Sequence, residues 1–152
     1  MTTTTEITGS TTVDRERAHR AATPLGIAAF VIAGGLSLQG ADSVQEAIVE
    51  VVLQLAVAAV LFAVVVPRGL RHESAGGRGL AMGIVALLLV VPAFWSGLPL
   101  LLGTAAAVLG YAGKRASARA GLATASLVIG LLAVVAYLAI YVGDYLHVHG
   151  IG

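Results

Sequence analysis

The sequence has 152 residues, of which 58% are hydrophobic and only 11% are charged, and its formal net charge is +1. A soluble domain is about 45–50% apolar and about 25% charged, so this composition excludes a single soluble core and indicates a membrane protein. The chain has no cysteine, which excludes disulfides, thiolate catalysis and cysteine-ligated metal sites. Arginine far outnumbers lysine, and Ala, Gly and Val are abundant, as GC-rich bacterial genomes encode, so we predict a bacterial cell membrane.

The N-terminal region is polar. Residues 1–12, MTTTTEITGSTT, carry almost no bulky apolar side chains and cannot bury enough surface to offset the entropy of ordering, so we predict disorder there. A basic stretch with Arg15, Arg17 and Arg20 follows. Residues 1–22 are therefore predicted to form a cytoplasmic segment ahead of the first apolar run.

Five apolar runs come next. A hydrocarbon core of about 30 Å needs about 20 helical residues, with a range of about 17–25. We predict an all-α, polytopic membrane protein with five transmembrane helices, which occupy residues 24–39, 44–66, 79–94, 97–113 and 120–142. The helices form one bundle over residues 23–143, and residues 144–152 form a short extracytoplasmic tail.

Local signals mark the ends of the first two helices. Thr23 can cap the first helix, and Pro24 suits its first position, where a missing N–H costs nothing. Ser43 followed by Glu46 makes a capping box at the start of the second helix. Pro67 is predicted to end that helix, because the residue before a proline disfavours helical geometry.

The basic residues predict the topology, because all nine fall into clusters before run one, between runs two and three, and between runs four and five. The clusters are Arg15, Arg17 and Arg20; Arg68, Arg71 and Arg78; and Lys114, Arg115 and Arg119. Five helices alternate sides, so all three clusters lie on one face of the membrane. The positive-inside rule then places the N-terminus in the cytoplasm and the C-terminus outside.

Two further features bear on this topology. Trp95, Tyr141 and Tyr145 fall at the outer interface and Tyr111 near the inner one, as aromatic belts do. The alternative is that the first run is a cleaved secretory signal, which its apolar length permits. The preceding region is long and polar, however, and no A-x-A site follows LSLQGADS, so we prefer a retained helix.

Two of the predicted helices begin alike. GRGLAMGIVALLL and ARAGLATASLVIGLL each open with basic residues, then Gly-Leu-Ala, then an aliphatic run. Gly79 with Gly83, and Gly121 with Ala125, are small-xxx-small spacings, which let helix backbones approach closely in a membrane. Chance is the alternative, because 19 of the 152 residues are glycine and such pairs are then frequent.

Residues 77–142 resemble the bacterial membrane family catalogued as domain of unknown function 4190. The resemblance is carried by Gly-Leu-Ala at a helix start, by LPLLLGTAAAVLGYAGKR with its glycine-rich basic turn, and by AGLATASLVIG. It covers under half of the chain and implies a helical membrane hairpin repeated around a basic cytoplasmic turn. The family supplies no catalytic residues.

Polar residues inside the second helix are the main functional candidates. Glu46, Glu50 and Gln54 are four residues apart and share one helix face, with Glu50 about one turn inside the apolar zone and Gln54 about two. Ionisable groups inside a membrane are costly and suggest function, here an entry point for a cation or proton. In the structural alternative Glu50 reaches the headgroups, while Gln54 hydrogen-bonds a neighbouring helix through Thr104, Ser126 or Tyr137.

The remaining polar groups give weaker signals. Asp144, His147 and His149 form D-x-x-H-x-H on the outer side, which could bind zinc or copper, although a plain polar tail is the simpler interpretation. The basic clusters are expected to attract anionic inner-leaflet lipids, at about 1 kcal/mol per residue. The stretch GGRGLAMG imitates a dinucleotide fingerprint, but Met82 replaces its last glycine and no strand precedes it.

The sequence therefore predicts no enzyme, no cofactor and no nucleic-acid partner, since no nucleophile–base pair, metalloprotease motif, phosphate-binding loop or aromatic-basic interleaving is visible. The expected partners are the lipid bilayer and other membrane proteins or a second copy of the chain. The preferred function is a non-enzymatic membrane scaffold or accessory subunit. The alternative is a small cation or proton transporter that uses Glu50 and Gln54.

Overall fold

The computed structural model describes residues 4–40, 43–71, 75–114, 120–148 and 150, with side chains from residue 16 onward. Within those ranges the chain is all-helical and contains no strand. We number five helices in chain order: α1 Thr4–Gly40, α2 Val44–Leu70, α3 Ala75–Leu89, α4 Leu98–Gly113 and α5 Ala120–Val148. Helix α2 is α-helical over Val44–Ala59 and Val66–Leu70, with a π-helical turn over Val60–Val65 between them.

Three helices are long and apolar enough to cross a membrane. They are the Glu16–Gln39 part of α1, all of α2 and all of α5. Helices α3 and α4 are apolar but shorter, at 15 and 16 residues. The predicted all-α class is therefore confirmed, with three helices of spanning length.

Helix α1 starts earlier than the sequence predicted. It begins at Thr4, so much of the segment predicted to be disordered is helical, and Pro24 lies inside the helix instead of at its first position. Threonine is only a moderately poor helix former, and extending an existing helix adds one hydrogen bond for each residue ordered. The helix can therefore continue backwards through a threonine-rich stretch once its apolar part has formed.

Helix α2 continues through Pro67 to Leu70, so the prediction that this proline ends the helix is wrong. A proline ring clashes with the carbonyl four residues before it, which here belongs to Ala63. Ala63 lies within the π-helical turn, at whose end the Val66 N–H donates to the Leu61 carbonyl, five residues back. We infer that this wider turn makes room for the proline ring without ending the helix.

The third and fifth helices also differ from their predicted bounds. Helix α3 is displaced towards the N-terminus relative to 79–94, because the chain turns after Leu89 and forms a short 3-10 helix over Phe94–Ser96. Gly97, at φ 66°, then starts α4 one residue after its predicted start. Helix α5 runs on to Val148, so the first part of the predicted tail is helical.

Helices α3, α4 and α5 pack against one another more closely than any other elements, and we call them the small-residue unit. A methyl group added to Gly130 of α5 would lie 2.7 Å from both the Ala107 nitrogen and the Gly103 oxygen of α4. One added to Gly76 of α3 would lie 2.8 Å from the Ala123 nitrogen of α5. Backbone therefore meets backbone, which only glycine permits.

Helices α1 and α2, the α1–α2 pair, lie on the outside of this unit. Helix α1 packs along α4, and α2 packs mainly on α1. The ring of Phe62 in α2 covers Gly26 in α1, where an added methyl group would lie 2.5 Å from the ring. Most large apolar side chains in the first half of α2 stay exposed, Ile48, Val49 and Val52 among them, so this part of the helix is little enclosed by the rest of the bundle.

Contacts between the helices define two ends of the bundle. At one end Gly113 of α4 approaches Gly76 of α3, which in turn contacts Ala123 of α5. At the other end the Ser37 hydroxyl of α1 meets the Trp95 carbonyl in the α3–α4 connection. We call these the basic end and the aromatic end, for the side chains found there.

Candidate functional site

A group of buried and half-buried polar side chains lies towards the aromatic end, where α1, α2, α5 and the α3–α4 connection meet. We call it the polar cluster, and it consists of Ser37, Glu50, Gln54, Tyr137 and Tyr141. Gln54 and Tyr137 are fully buried, and Ser37 is 2% exposed. Buried polar groups in a largely apolar bundle are costly unless paired, which makes this cluster the first candidate for function or for stability.

Hydrogen bonds through Ser37 tie three parts of the chain together. The Gln54 Nε2 donates to Ser37 Oγ at 2.6 Å, and the Ser37 hydroxyl donates to the Trp95 carbonyl at 2.9 Å. The Tyr141 hydroxyl adds a fourth element by donating to the Leu36 carbonyl. The cluster therefore links α1 to α2, to the α3–α4 connection and to α5.

Glycines make the space for the Gln54 side chain. A methyl group on Gly97 would lie 3.0 Å from Gln54 Nε2 and 2.8 Å from the Ala33 Cβ, and the positive φ of Gly97 is itself unfavourable for other residues. A methyl group on Gly34 would lie 3.6 Å from Gln54 Oε1. The close contact at Gly97 places the α3–α4 connection directly against the amide of Gln54.

Two buried polar atoms of the cluster have no hydrogen-bond partner within the described part of the chain. They are the Oε1 of Gln54 and the hydroxyl of Tyr137. The Tyr137 and Tyr141 ring centroids are 5.8 Å apart, and Phe94 stacks edge-on to Tyr141 at 6.3 Å. An unpaired buried acceptor and an unpaired phenol leave the cluster able to take a further hydrogen-bonding group.

Glu50 stands one turn before Gln54 and is only half-buried. The four-residue spacing puts Glu50 on the same face of α2 as Gln54, so we include it in the cluster. Glu46, one turn earlier, is exposed, and its backbone N–H donates to the Ser43 hydroxyl at 3.2 Å, which is the Ser43 half of the predicted capping box. Along the predicted helix face, exposure therefore decreases from Glu46 at the helix start, through half-buried Glu50, to fully buried Gln54.

Gln54 hydrogen-bonds a neighbouring helix, as the structural alternative predicted, but its partner is none of the three candidate residues. The Thr104 hydroxyl donates to the Leu100 carbonyl and the Ser126 hydroxyl to the Ala106 carbonyl. Tyr137 lies in the cluster, but Ser37 is the residue that pairs with the Gln54 amide. The sequence did contain a signal for this partner. Ser37 is a polar residue near the end of the first apolar run, at about the depth of Gln54 in the next helix.

The packing residues predicted by the small-xxx-small spacing behave differently in the two helices. Gly79 and Gly83 of α3 are buried, and methyl groups on them would crowd Leu109 Cβ at 2.9 Å and Ile129 Cγ2 at 3.1 Å. Gly121 of α5 is exposed, with no described heavy atom within 4 Å of an added methyl group. Ala125 is half-buried, and the contacts of α5 are made by other small residues, namely Ala123, Ser126 and Gly130.

The described basic side chains lie towards the basic end and are exposed: Arg17, Arg20, Arg68, Arg71, Arg78 and Lys114. Arg15 lies within α1, while Arg115 and Arg119 fall outside the described residues. Arg20 donates to Glu16 at 2.5 Å, an exposed ion pair within one helix. Tyr111 is exposed near this end and Trp95 near the other.

The C-terminal metal candidates are only partly described. Asp144 and His147 are exposed on the last turns of α5, and His149 falls outside the described residues. Among the residues the structure describes, no group of three His, Cys, Asp or Glu side chains is arranged to hold a metal ion.

Comparisons of the chain with protein-family models, with curated proteins and with solved structures find no match. The resemblance of residues 77–142 to domain of unknown function 4190 therefore stays a prediction from the motifs quoted above.

Proposed function

We propose that the chain is a multi-pass bacterial cell-membrane protein that acts as a non-enzymatic scaffold or accessory subunit of a membrane assembly. The observation that carries the proposal is the outer surface of α2, a helix of 27 residues on which large apolar side chains such as Ile48, Val49 and Val52 are more than half exposed. Large exposed apolar surfaces mark contact with lipid or with another protein. Such a surface suits a helix that packs on α1 with one face and offers the other to the membrane.

The polar cluster supports the same role. Gln54, the buried amide of α2, is held by Ser37 of α1, so it serves to fix the position of the outer helix. Interhelical hydrogen bonds of this kind hold membrane helices in register. The exposed face of α2 is thereby presented at a fixed angle, as a docking surface requires.

Recovery of partners tests the scaffold role. The full chain, purified from native membranes in mild detergent, is expected to bring a defined membrane protein or a second copy with it. The E50A variant is expected to recover the same partner, because Glu50 is half-buried on the cluster side and is not needed for docking. Mass spectrometry identifies the partner, and a chain that purifies as a lone monomer contradicts the proposal.

The proposed topology has five spans, with the N-terminus in the cytoplasm and the C-terminus outside. It is supported by the shared location of the described basic residues at one end. Because the chain has no cysteine, Q45C and S74C each create a single labelling site. A membrane-impermeant maleimide is expected to label Q45C in intact cells and S74C only after permeabilisation; the reverse pattern overturns the topology.

A second candidate function is proton or cation transport. It is favoured by Glu50, one turn before Gln54 on the same helix face, and by the Gln54 Oε1 and Tyr137 hydroxyl, which lack a hydrogen-bond partner among the described residues. Purified protein in liposomes with a pH-sensitive dye then shows flux that E50Q abolishes. If the parent protein gives no flux, transport is removed and the scaffold role is left.

A further inference from the structure

A groove on the side of the bundle lies between α1, α4 and α5 and encloses about 520 Å³. Its walls come from residues 17–25 of α1, 104–111 of α4 and 127–134 of α5. The volume falls within the range of about 300–1,000 Å³ that is usual for small-molecule sites. The groove lies towards the basic end and is separate from the polar cluster.

The interior of the groove suits an apolar ligand. Most of its lining is aliphatic, including Leu25, Leu131 and Val134. Thr104 is the polar side chain along its length, and its hydroxyl already donates to the Leu100 carbonyl at 2.8 Å. The groove walls therefore have no polar side chain that needs a further hydrogen bond, and their apolar surface suits a hydrocarbon chain.

One end of the groove is charged. Arg17 and Tyr111 both line it there, and Arg17 is exposed. The neighbouring Arg20 is engaged by Glu16, whereas the Arg17 guanidinium has no ion pair to any residue in the described part of the chain. A guanidinium that no described residue pairs, at the mouth of an apolar groove, is complementary to a phosphate that carries a hydrocarbon tail.

The dimensions match one leaflet of a bilayer. Residues 17 and 25 are eight residues apart, which in a helix is about 12 Å. Half of a hydrocarbon core of about 30 Å is about 15 Å, so the groove follows most of an acyl chain through one leaflet. We propose that this groove binds one anionic phospholipid, with its phosphate on Arg17 and an acyl chain between α1, α4 and α5.

This site rests on the proposed membrane placement but not on the scaffold role. Native mass spectrometry of the full chain in mild detergent, titrated with phosphatidylglycerol or phosphatidylcholine, tests it. Wild type is expected to retain one phosphatidylglycerol in preference to phosphatidylcholine. R17Q is expected to bind phosphatidylglycerol about fivefold more weakly, which is the effect of one basic residue near a headgroup.

The matched control is R20Q, which removes the same charge from the same helix but outside the groove. It is expected to bind as wild type does. A21F fills the groove from the α1 side and is expected to weaken both lipids, with its helical content checked by circular dichroism. Equal losses in R17Q and R20Q, or no retained lipid in wild type, overturn the site. A chain that does not enter the membrane fraction at all contradicts the proposed membrane placement instead.

Discussion

The small-residue unit and the α1–α2 pair are held together by different means. In the unit, glycines and alanines bring backbones into contact, as where Gly130 meets Gly103 and Ala107. In the pair, larger side chains make the contacts, with Phe62 over Gly26 and Gln54 bonded to Ser37. The first arrangement depends on shape along the whole helix length, and the second on a few specific groups.

The difference teaches how a chain so poor in charge can specify a packed arrangement. In lipid no hydrophobic gain drives helices together, so van der Waals contact and hydrogen bonds must do so. The unit uses the first and the pair relies more on the second. We therefore expect the unit to be intolerant of added volume and the pair to be sensitive to loss of single polar groups.

The largest effect is expected from G130L. The new side chain would meet the backbone of α4, which cannot move aside, so we expect a loss of about 3 kcal/mol or more of unfolding free energy. Thermal unfolding in detergent measures it. The control is G121L in the same helix, where an added side chain meets open space among the described residues and helix propensity improves. If the two variants unfold alike, close packing does not hold the unit together.

A smaller effect is expected where the unit meets the pair. G97A forces a positive φ on alanine and crowds Ala33 and Gln54, so we expect a loss of about 2 kcal/mol. G35A, in a helical part of α1 with no described neighbour within 4 Å, is the matched control and is expected to lose no stability, because alanine favours the helix over glycine. The same unfolding assay compares them, and an unchanged G97A would show that the connection is not held against Gln54.

The smallest effect is expected within the pair. S37A removes the acceptor of the Gln54 amide, and interhelical hydrogen bonds in membranes are worth about 0.6 kcal/mol on average and up to about 1.7. In a Q54L background the same change loses only the bond to the Trp95 carbonyl. The double-mutant cycle of S37A and Q54L should therefore show coupling, whereas strictly additive losses would contradict a direct bond.

The number of helices and their approximate positions could be predicted because apolar runs and charge clusters alternate so regularly. The end of α2 could not be predicted from Pro67, because proline forbids a regular α-turn but not a wider one. The start of α1 was missed for a related reason: residue-by-residue propensity understates how far a helix extends once it has formed. The length and composition of an apolar run therefore predict that a helix exists more reliably than local stop signals predict where it ends.

The sequence predicted the α2 side of the polar cluster but not the residue that pairs with it. Periodicity placed Glu46, Glu50 and Gln54 on one face, because that depends only on helix geometry. The partner of Gln54 depends on which faces of two helices meet, and that follows from the contacts of all five. The same holds for Gly121, which has the right spacing for packing but faces away from α3 and α4.

The shortness of α3 and α4 has a consequence for the surrounding lipid. Their 15 and 16 residues extend about 22–24 Å, against about 30 Å for an average hydrocarbon core. In the proposed placement, hydrophobic mismatch makes the bilayer dip where these helices face it, at a cost that rises with acyl-chain length. The chain would then gather in the thinner patches of a membrane, and thickness itself would sort it.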